Sequence, residues 1–371
     1  MDDTLTQTKT QAAAVELTVV VPSFNERENI EPMLERLRAC LAGIEWEVIY
    51  VDDDSPDRTA EAVKAVARRD PRVRCIHRIG RRGLSTAVIE GIQASHAPFV
   101  AVIDADMQHD ETLLPRMLET AKNENLDVVV GSRLVPGGGF GELDKERVRI
   151  SGIATRLARF VVSADLTDPM SGFFLVRRSA FDAAVRRLSG QGFKIMLDLF
   201  ASAPAPLRFK ELPYRFRPRL YGESKLDTLV VWEYLMLLLD KLFGRFVPTR
   251  FVLFGSVGMS GVVVHLLTLR LVLMTAPFAV AQATATVMAM TSNFALNNLL
   301  TYRDKRLRGR RFFIGLLSFY AVCAVGAVAN VGIASAAFEE HYSWWLAGLA
   351  GAMVGVVWNY AVSSVFTWRP K

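Results

Sequence analysis

Four long apolar segments, residues 251–274, 278–300, 312–338 and 344–368, limit what this chain can fold into. Each is long enough to cross a hydrocarbon layer of roughly 30 Å, for which about 20 helical residues suffice. No water inside such a layer can satisfy a backbone, so the segments must be helices. Residues 251–371 are therefore expected to form an all-α membrane domain of four transmembrane helices. The middle loop holds Arg303, Lys305, Arg306, Arg308, Arg310 and Arg311, and Arg369 and Lys371 end the chain. Thr275-Ala276-Pro277 and Glu339-Glu340-His341 carry no Lys or Arg. That asymmetry predicts an integral protein of the cell membrane, with the first 250 residues, the middle loop and the C-terminus cytoplasmic.

Over 371 residues, 51% are hydrophobic and the formal net charge is +6. A mean hydropathy of +0.23 is too apolar for a purely water-soluble enzyme, and with a pI near 9.3 it favours an anionic lipid bilayer over nucleic acid as the partner of the basic surface. Cys40, Cys75 and Cys323 are scattered, without the spacing of a zinc site or a disulfide frame. Nothing in the pattern fixes an oligomeric state.

Ahead of the apolar segments, strand, acidic turn and helix recur. Residues 1–16 are a polar tail without the apolar stretch of a cleavable signal. Leu17-Thr18-Val19-Val20-Val21 reads as a strand closed by Pro22, with a helix to about residue 41. Residues 46–51 form a second strand ending in Asp52-Asp53-Asp54, and residues 59–69 a helix. Phe99-Val100-Ala101-Val102-Ile103 is a third strand, breaking into Asp104-Ala105-Asp106-Met107-Gln108-His109. Strands alternating with helices predict a parallel sheet whose carboxyl ends line one edge, where ligands bind. Two carboxylates and an amide there are hard oxygen donors suited to Mg²⁺ or Mn²⁺ carrying a phosphate. The turn from Arg78 to Ala87 is basic and glycine-containing, a phosphate-favouring helix start, and Gly137-Gly138-Gly139 reads as a mobile loop.

Val21-Pro22-Ser23-Phe24-Asn25-Glu26, Val51-Asp52-Asp53, Asp104 to His109, Gly131-Ser132-Arg133, Asp168-Pro169-Met170-Ser171-Gly172-Phe173-Phe174 and Arg219 to Leu226 occur in the order seen in family 2 glycosyltransferases, and resemble the polyprenyl-phosphate mannose synthases among them. The resemblance implies an α/β A-type, Rossmann-like catalytic domain over residues 17–225, GDP-mannose as donor and dolichyl or polyprenyl phosphate as acceptor. It implies that Asp104, Asp106 and Gln108 hold the metal, and that Pro22, Phe24, Glu26 and Asp53, with those three and Arg219 and Lys225, bind the nucleotide sugar. Arg133, Arg147, Ser151 and Arg219 would hold the acceptor phosphate, and Asp104, Asp106, Arg133, Arg219 and Lys225 would carry catalysis. Asp168 would shape the sugar or acceptor pocket, unless it only starts a turn.

Residues 226–250, with the short apolar run 228–239, are expected to lie as amphipathic helices at the membrane interface, a buried core helix being the other possibility. Residues 293–303 align with 359–369 as an internal repeat of two helical hairpins, and with residues 251–255 they resemble the GtrA-like membrane family. Asn293, Asn330 and Asn359 are expected to join helices rather than line a transport site. Two alternatives stay open: a glucosyltransferase using UDP-glucose, and a lipid-linked sugar translocator. The Gln-x-x-Arg-Trp motif of processive synthases is missing.

Overall fold

A computed structural model describes residues 14–139, 158, 161–162, 164–190, 192–218, 234, 236–241, 248–340 and 344–368. The chain divides into two units, Met1–Leu242 and Phe243–Lys371.

The first unit is built on a seven-stranded sheet of β1 (Leu17–Ser23), β2 (Trp46–Asp52), β3 (Val73–His77), β4 (Phe99–Val102), β5 (Val128–Ser132), β6 (Phe174–Arg177) and β7 (Phe209–Pro213), in the order β3-β2-β1-β4-β6-β5-β7. β1, β4 and β5 are buried along their whole length, which is why their sequences read as unbroken apolar runs rather than alternating ones. Val19 and Val21 face one core and Val20 the other. Helices α1 (Ile30–Cys40) and α4 (Leu114–Asn123) cover the first face, burying Ile30, Met33, Leu34 and Leu37, and Leu114, Met117, Leu118 and Ala121. These are the i, i+3, i+4, i+7 positions of one helical stripe. α2 (Thr59–Ala67) adds Val63 and Val66 there, and α3 (Leu84–Ala94) and α6 (Ile195–Ser202) cover the opposite face. Between β6 and α6 lies the short α5 (Arg178–Ala184).

β3, β2, β1 and β4 are parallel, as expected, but β6 is not. It starts at Phe174 opposite Val102 and Val130, near the carboxyl ends of β4 and β5, and runs antiparallel to both. The chain leaves β5 and enters β6 at the same edge, so no crossover restores the parallel direction. The glycine loop also departs from expectation. Gly139 N–H donates to Tyr214 O (3.1 Å) and its carbonyl accepts from Phe216 N–H (2.9 Å). Of the segment expected at the membrane interface, Tyr234, Leu237 and Leu238 are instead buried in a cluster with Ala158, Val162 and Leu197. That is protein core, and Lys241 closes it by pairing with the buried Asp198 at 2.5 Å.

The second unit contains α7 (Thr249–Val272), α8 (Phe278–Leu296), α9 (Arg310–Glu339) and α10 (Trp344–Val362). Each hairpin finishes in a wide turn of π-helix, Asn297–Thr301 after α8 and Ser363–Thr367 after α10, at equivalent places in the repeat. Among the described residues two stretches are long and apolar enough to cross a membrane, α7 and residues Arg310–Val328 of α9. Met259, Leu266 and Leu271 on α7 and Phe313 and Leu317 on α9 are exposed, an outward apolar surface that lipid would cover.

α3 touches the sheet through Gly91, where a methyl group would lie 3.0 Å from Val51 Cγ2 and nearer still to Val20 Cγ1. Gly91→Val is expected to destabilise the first unit by about 2–3 kcal/mol through overpacking. A thermal melt of the solubilised protein should show a Tm lower by several degrees; an unchanged Tm would mean that the helix can lift off without cost.

Candidate active site

β4 ends in a turn whose side chains are sorted between core and edge. Ala105 and Met107 are buried in the core below the sheet, and Asp104, Asp106 and Gln108 alternate with them. Met107 pays for this with a left-handed backbone (φ +65°), an unusual conformation for a non-glycine residue and one that needs its surroundings to enforce it. Asp106 Oδ1 accepts the Gln108 N–H (3.2 Å), and Gln108 Nε2 donates to Arg217 O (3.2 Å) while its carbonyl accepts from Arg217 N–H (2.9 Å). The Arg217 guanidinium in turn bonds Asp110 (2.6 Å) and Glu111 (2.8 Å), so β4's turn is laced to the segment after β7.

His109 is the buried prop of Asp104. The Asp104 N–H donates to His109 Nδ1 at 3.2 Å, which places the imidazole proton on Nε2, 3.8 Å from Asp104 Oδ2. The ring stacks on Phe173 (centroids 5.3 Å apart, 13° between planes) and meets Tyr214 and Phe216 edge-on. Burial pushes its pKa down to about 4 against the opposing pull of Asp106. Gly172 makes the space for the Asp104 carboxylate, since a Cβ there would sit 3.3 Å from Oδ2.

The loop containing Gly172 is pinned on several sides. Asp168 is wholly buried and accepts from Arg133 N–H (3.1 Å), Nε (2.8 Å) and Nη2 (2.8 Å). The N–H groups of Thr167 and Asp168 both donate to the Glu211 carboxylate (2.8 and 2.9 Å). Ser171 Oγ donates to Gly131 O (2.7 Å), and Lys194 Nζ to Met170 O (3.0 Å). Lys194 is a member of the site with no signal in the sequence beyond its place ahead of an apolar helix. Burial, with Arg133 adding to it, pushes its pKa down to about 8 despite the nearby Asp104 and Asp168.

The edges of β1 and β2 form the neighbouring part. Asp53 N–H donates to Ser23 O (3.0 Å), Asn25 N–H to Ser55 Oγ (2.9 Å) and Glu26 N–H to Thr59 Oγ1 (3.0 Å), joining the two strand-end loops. Glu26 Oε2 accepts from Asn29 Nδ2 (2.7 Å). Asp53 is buried, and burial raises its pKa even though Gly83 N–H (2.6 Å) and Arg78 Nη1 (2.6 Å) hold its two oxygens. Arg78 is itself buried and donates to Gly83 O and Thr86 Oγ1, and Arg81 pairs with Glu90 (2.7 Å). Arg78 is therefore a strut of the turn rather than a free phosphate ligand, while Arg81 stays exposed beside Glu90. The third, Arg82, lies over the Phe24 ring at 4.1 Å.

The expected residues Pro22, Phe24, Glu26, Asp53, Asp104, Asp106, Gln108 and Arg133 thus fall at the carboxyl edge of β1, β2, β4 and β5. Arg147, Ser151, Arg219 and Lys225 lie outside the described residues. No cluster of three or more His, Cys, Asp or Glu among the described residues could hold a metal by itself. The donor set of Asp104, Asp106 and Gln108 nonetheless fits a hard divalent cation, because Mg²⁺ is ordinarily held by one or two carboxylates together with substrate phosphates and water, not by an all-protein cage.

His109 makes stability depend on pH. An unfolded imidazole takes up a proton near pH 6.5, the buried one only near pH 4, so between these values folding excludes a proton and stability falls as pH falls. The loss amounts to roughly 3 kcal/mol over that window. His109→Phe is expected to narrow the difference in Tm between pH 7 and pH 4.5; an identical difference in variant and parent would remove His109 as its source.

Residues 18–184 match the family described as Glycosyl transferase family 2, and residues 253–368 match GtrA/DPMS, transmembrane domain. The chain is 32% identical over 357 residues to a dolichol-phosphate mannosyltransferase of Pyrococcus furiosus, covering 95% of this chain and 99% of that protein. The corresponding protein of Saccharomyces cerevisiae is 35% identical over 253 residues, 65% of this chain and 92% of that one. An undecaprenyl-phosphate mannosyltransferase of Micrococcus luteus is 33% identical over 220 residues, 58% of this chain and 88% of that one. Read with the sheet and its acidic edge, this near full-length similarity means that the chain belongs to the family 2 glycosyltransferases of dolichol-phosphate mannosyltransferase type, with a C-terminal GtrA-like membrane domain.

Proposed function

We propose that this enzyme transfers mannose from GDP-mannose to a dolichyl or other polyprenyl phosphate, inverting the anomeric carbon, at the cytoplasmic face of the cell membrane, with all four helices of the second unit spanning the bilayer. The observation that carries the reading is the β4 turn: two carboxylates held rigidly by His109, Gly172 and Gln108 at the edge where a sugar nucleotide would lie. The likeness to mannosyltransferases that act on polyprenyl phosphates supplies the substrate classes.

Pro22, Phe24, Glu26 and Asp53 line the nucleotide's side of the site. Asp53 acts there through the Arg78–Gly83 turn, which it holds beneath the nucleotide, while Arg82 and Phe24 offer a cationic and an aromatic face. Asp104, Asp106 and Gln108 would hold Mg²⁺ or Mn²⁺, which supplies positive charge against the diphosphate as GDP departs. Arg133, Arg147, Ser151 and Arg219 form the acceptor's side, where guanidinium forks match a phosphate monoester, and Lys225 reaches the nucleotide sugar. Asp168 orients Arg133, taking two of its donors.

In the reaction an acceptor phosphate oxygen attacks the anomeric carbon in line with the departing diphosphate. One C–O bond forms as the other breaks, and the electron pair leaves with GDP. The acceptor phosphate, with a second pKa near 6, is already largely dianionic at pH 7. No strong general base is needed, and positioning and charge stabilisation dominate.

Purified protein with Mg²⁺ or Mn²⁺ should transfer radiolabel from GDP-mannose to a polyprenyl phosphate, and should stop on chelation. Asp106→Asn should lower the rate at least about 100-fold with little change in Tm. Label from UDP-glucose alone would replace the sugar, and full activity in chelator or in the variant would sink the metal assignment. Arg219→Ala should raise KM for polyprenyl phosphate about tenfold, far more than it raises KM for GDP-mannose; steady-state kinetics showing equal effects would remove Arg219 from the acceptor's side.

A further inference from the structure

The loop after β2 and the turn between β3 and α3 carry three exposed side chains that the fold does not use. Arg82 makes no hydrogen bond or ion pair with another described residue, and its guanidinium carbon lies 4.1 Å from the centre of the half-buried Phe24 ring. Ile79, 74% exposed, is the most exposed large apolar side chain among the described residues of the first unit. Asp54 holds a left-handed backbone (φ +57°), a conformation that a residue with a β-carbon adopts only where its surroundings enforce it.

Those surroundings aim the Asp54 carboxylate without burying it. Oδ2 accepts from Gly80 N–H (3.0 Å) and Oδ1 from His77 Nε2 (3.2 Å), while His77 Nδ1 accepts from Lys64 Nζ (3.2 Å). The Gly80 and His77 contacts, with the charge of Arg82 nearby, hold Asp54 below the usual carboxylate range, so it is ionised at neutral pH. Each oxygen keeps a lone pair for a further donor.

A guanine base brings a surface that matches these groups. The face of Phe24 that Arg82 covers is one on which a nucleobase stacks, and a base seated there moves the guanidinium from the ring's face to the base's own edge. On that edge O6 and N7 are neighbouring acceptors, which a guanidinium meets with two parallel N–H donors. On the adjoining edge N1–H and N2–H are neighbouring donors, which a carboxylate meets with its two oxygens. Uracil sets a single N–H between two carbonyls, so a carboxylate there meets an oxygen, and it has no second acceptor beside O4 for the fork.

We propose that Asp54 and Arg82 select guanine as the base of the donor, Arg82 on O6 and N7 and Asp54 on N1–H and N2–H, with the ring stacked on Phe24 and packed against Ile79. The proposal rests on the GDP-mannose reading, and goes beyond it in naming the residues that choose the base.

Binding of GDP, IDP and UDP to the detergent-solubilised full-length protein in Mn²⁺ is measured by calorimetric titration for the parent, Arg82→Leu and Asp54→Asn. Both positions are exposed and asparagine tolerates a left-handed backbone, so both variants are expected to keep the parent's Tm. The parent should bind GDP at least about tenfold more tightly than UDP, and Arg82→Leu should weaken GDP at least about tenfold and UDP less than about twofold. The parent should also prefer GDP to IDP, which lacks the N2 amino group, and Asp54→Asn should abolish that preference. Equal weakening of GDP and UDP by Arg82→Leu would make Arg82 a diphosphate contact and overturn the proposal. So would a parent indifferent between GDP and IDP, or a preference for GDP over IDP that survives Asp54→Asn. A parent that binds UDP as tightly as GDP overturns the GDP-mannose reading and this proposal together; a parent that prefers GDP to UDP, with variants that keep the preference undiminished, overturns this proposal alone.

Discussion

A carboxylate taken out of water has to be answered by charge or by hydrogen bonds, and the catalytic unit is organised around carboxylates treated in this way. Asp53 is answered by Arg78 and the Gly83 N–H, and so fixes the basic turn before α3. Asp168 is answered by three donors of Arg133, and so fixes the loop that makes room for Asp104. Asp198 is answered by Ser189, Gly190, Ser202 and Lys241, which ties the start of α6 to residues on either side of it. Truncating one partner of such a pair would leave the other charged and dry, so these contacts hold position more firmly than exposed ion pairs of the same length could.

The consequence for catalysis is preorganisation. Little separates Asp104 from its supports: His109 holds its backbone, Gly172 accommodates its carboxylate, and the loop carrying Gly172 cannot shift without breaking contacts to Arg133, Glu211, Gly131 and Lys194. A site that works by charge stabilisation and in-line positioning gains from rigidity of this kind, because no reorganisation is then required as charge moves to the leaving group.

The membrane unit achieves order by repetition instead. Tyr302 and Trp368, equivalent residues just beyond the two π-helical turns, stack on each other at 4.1 Å with 7° between their planes. Phe294 and Phe319 join them in one buried aromatic cluster. Asn298 clamps Leu307 from both sides, donating to its carbonyl and accepting from its N–H, and also accepts from Trp368 Nε1. Aromatic packing and a short polar clamp thereby join the end of one hairpin to the end of the other and set the loop bearing Arg303 to Arg311.

What the sequence by itself determined was whatever local pattern encodes: buried strands as apolar runs, carboxylates where those runs stop, amphipathic helices between them, apolar helices in the last third, and a repeat visible at residues 293–303 and 359–369. The ordered motifs identified the family for the same reason, since each is a short stretch whose spacing survives without its surroundings. Tertiary structure alone decided what depends on distant segments meeting. β6 runs antiparallel because of where the chain re-enters the sheet, and Tyr234 turns inward because Val162 and Leu197 are there to cover it. Arg78 is spent on Asp53, and Lys194 reaches a carbonyl 24 residues away in sequence. Asn293 and Asn359, 66 positions apart, share a cavity. Periodicity reports which face of an element is buried; it carries no information about which partner buries it, and burial by a particular partner is what turns an arginine into a strut.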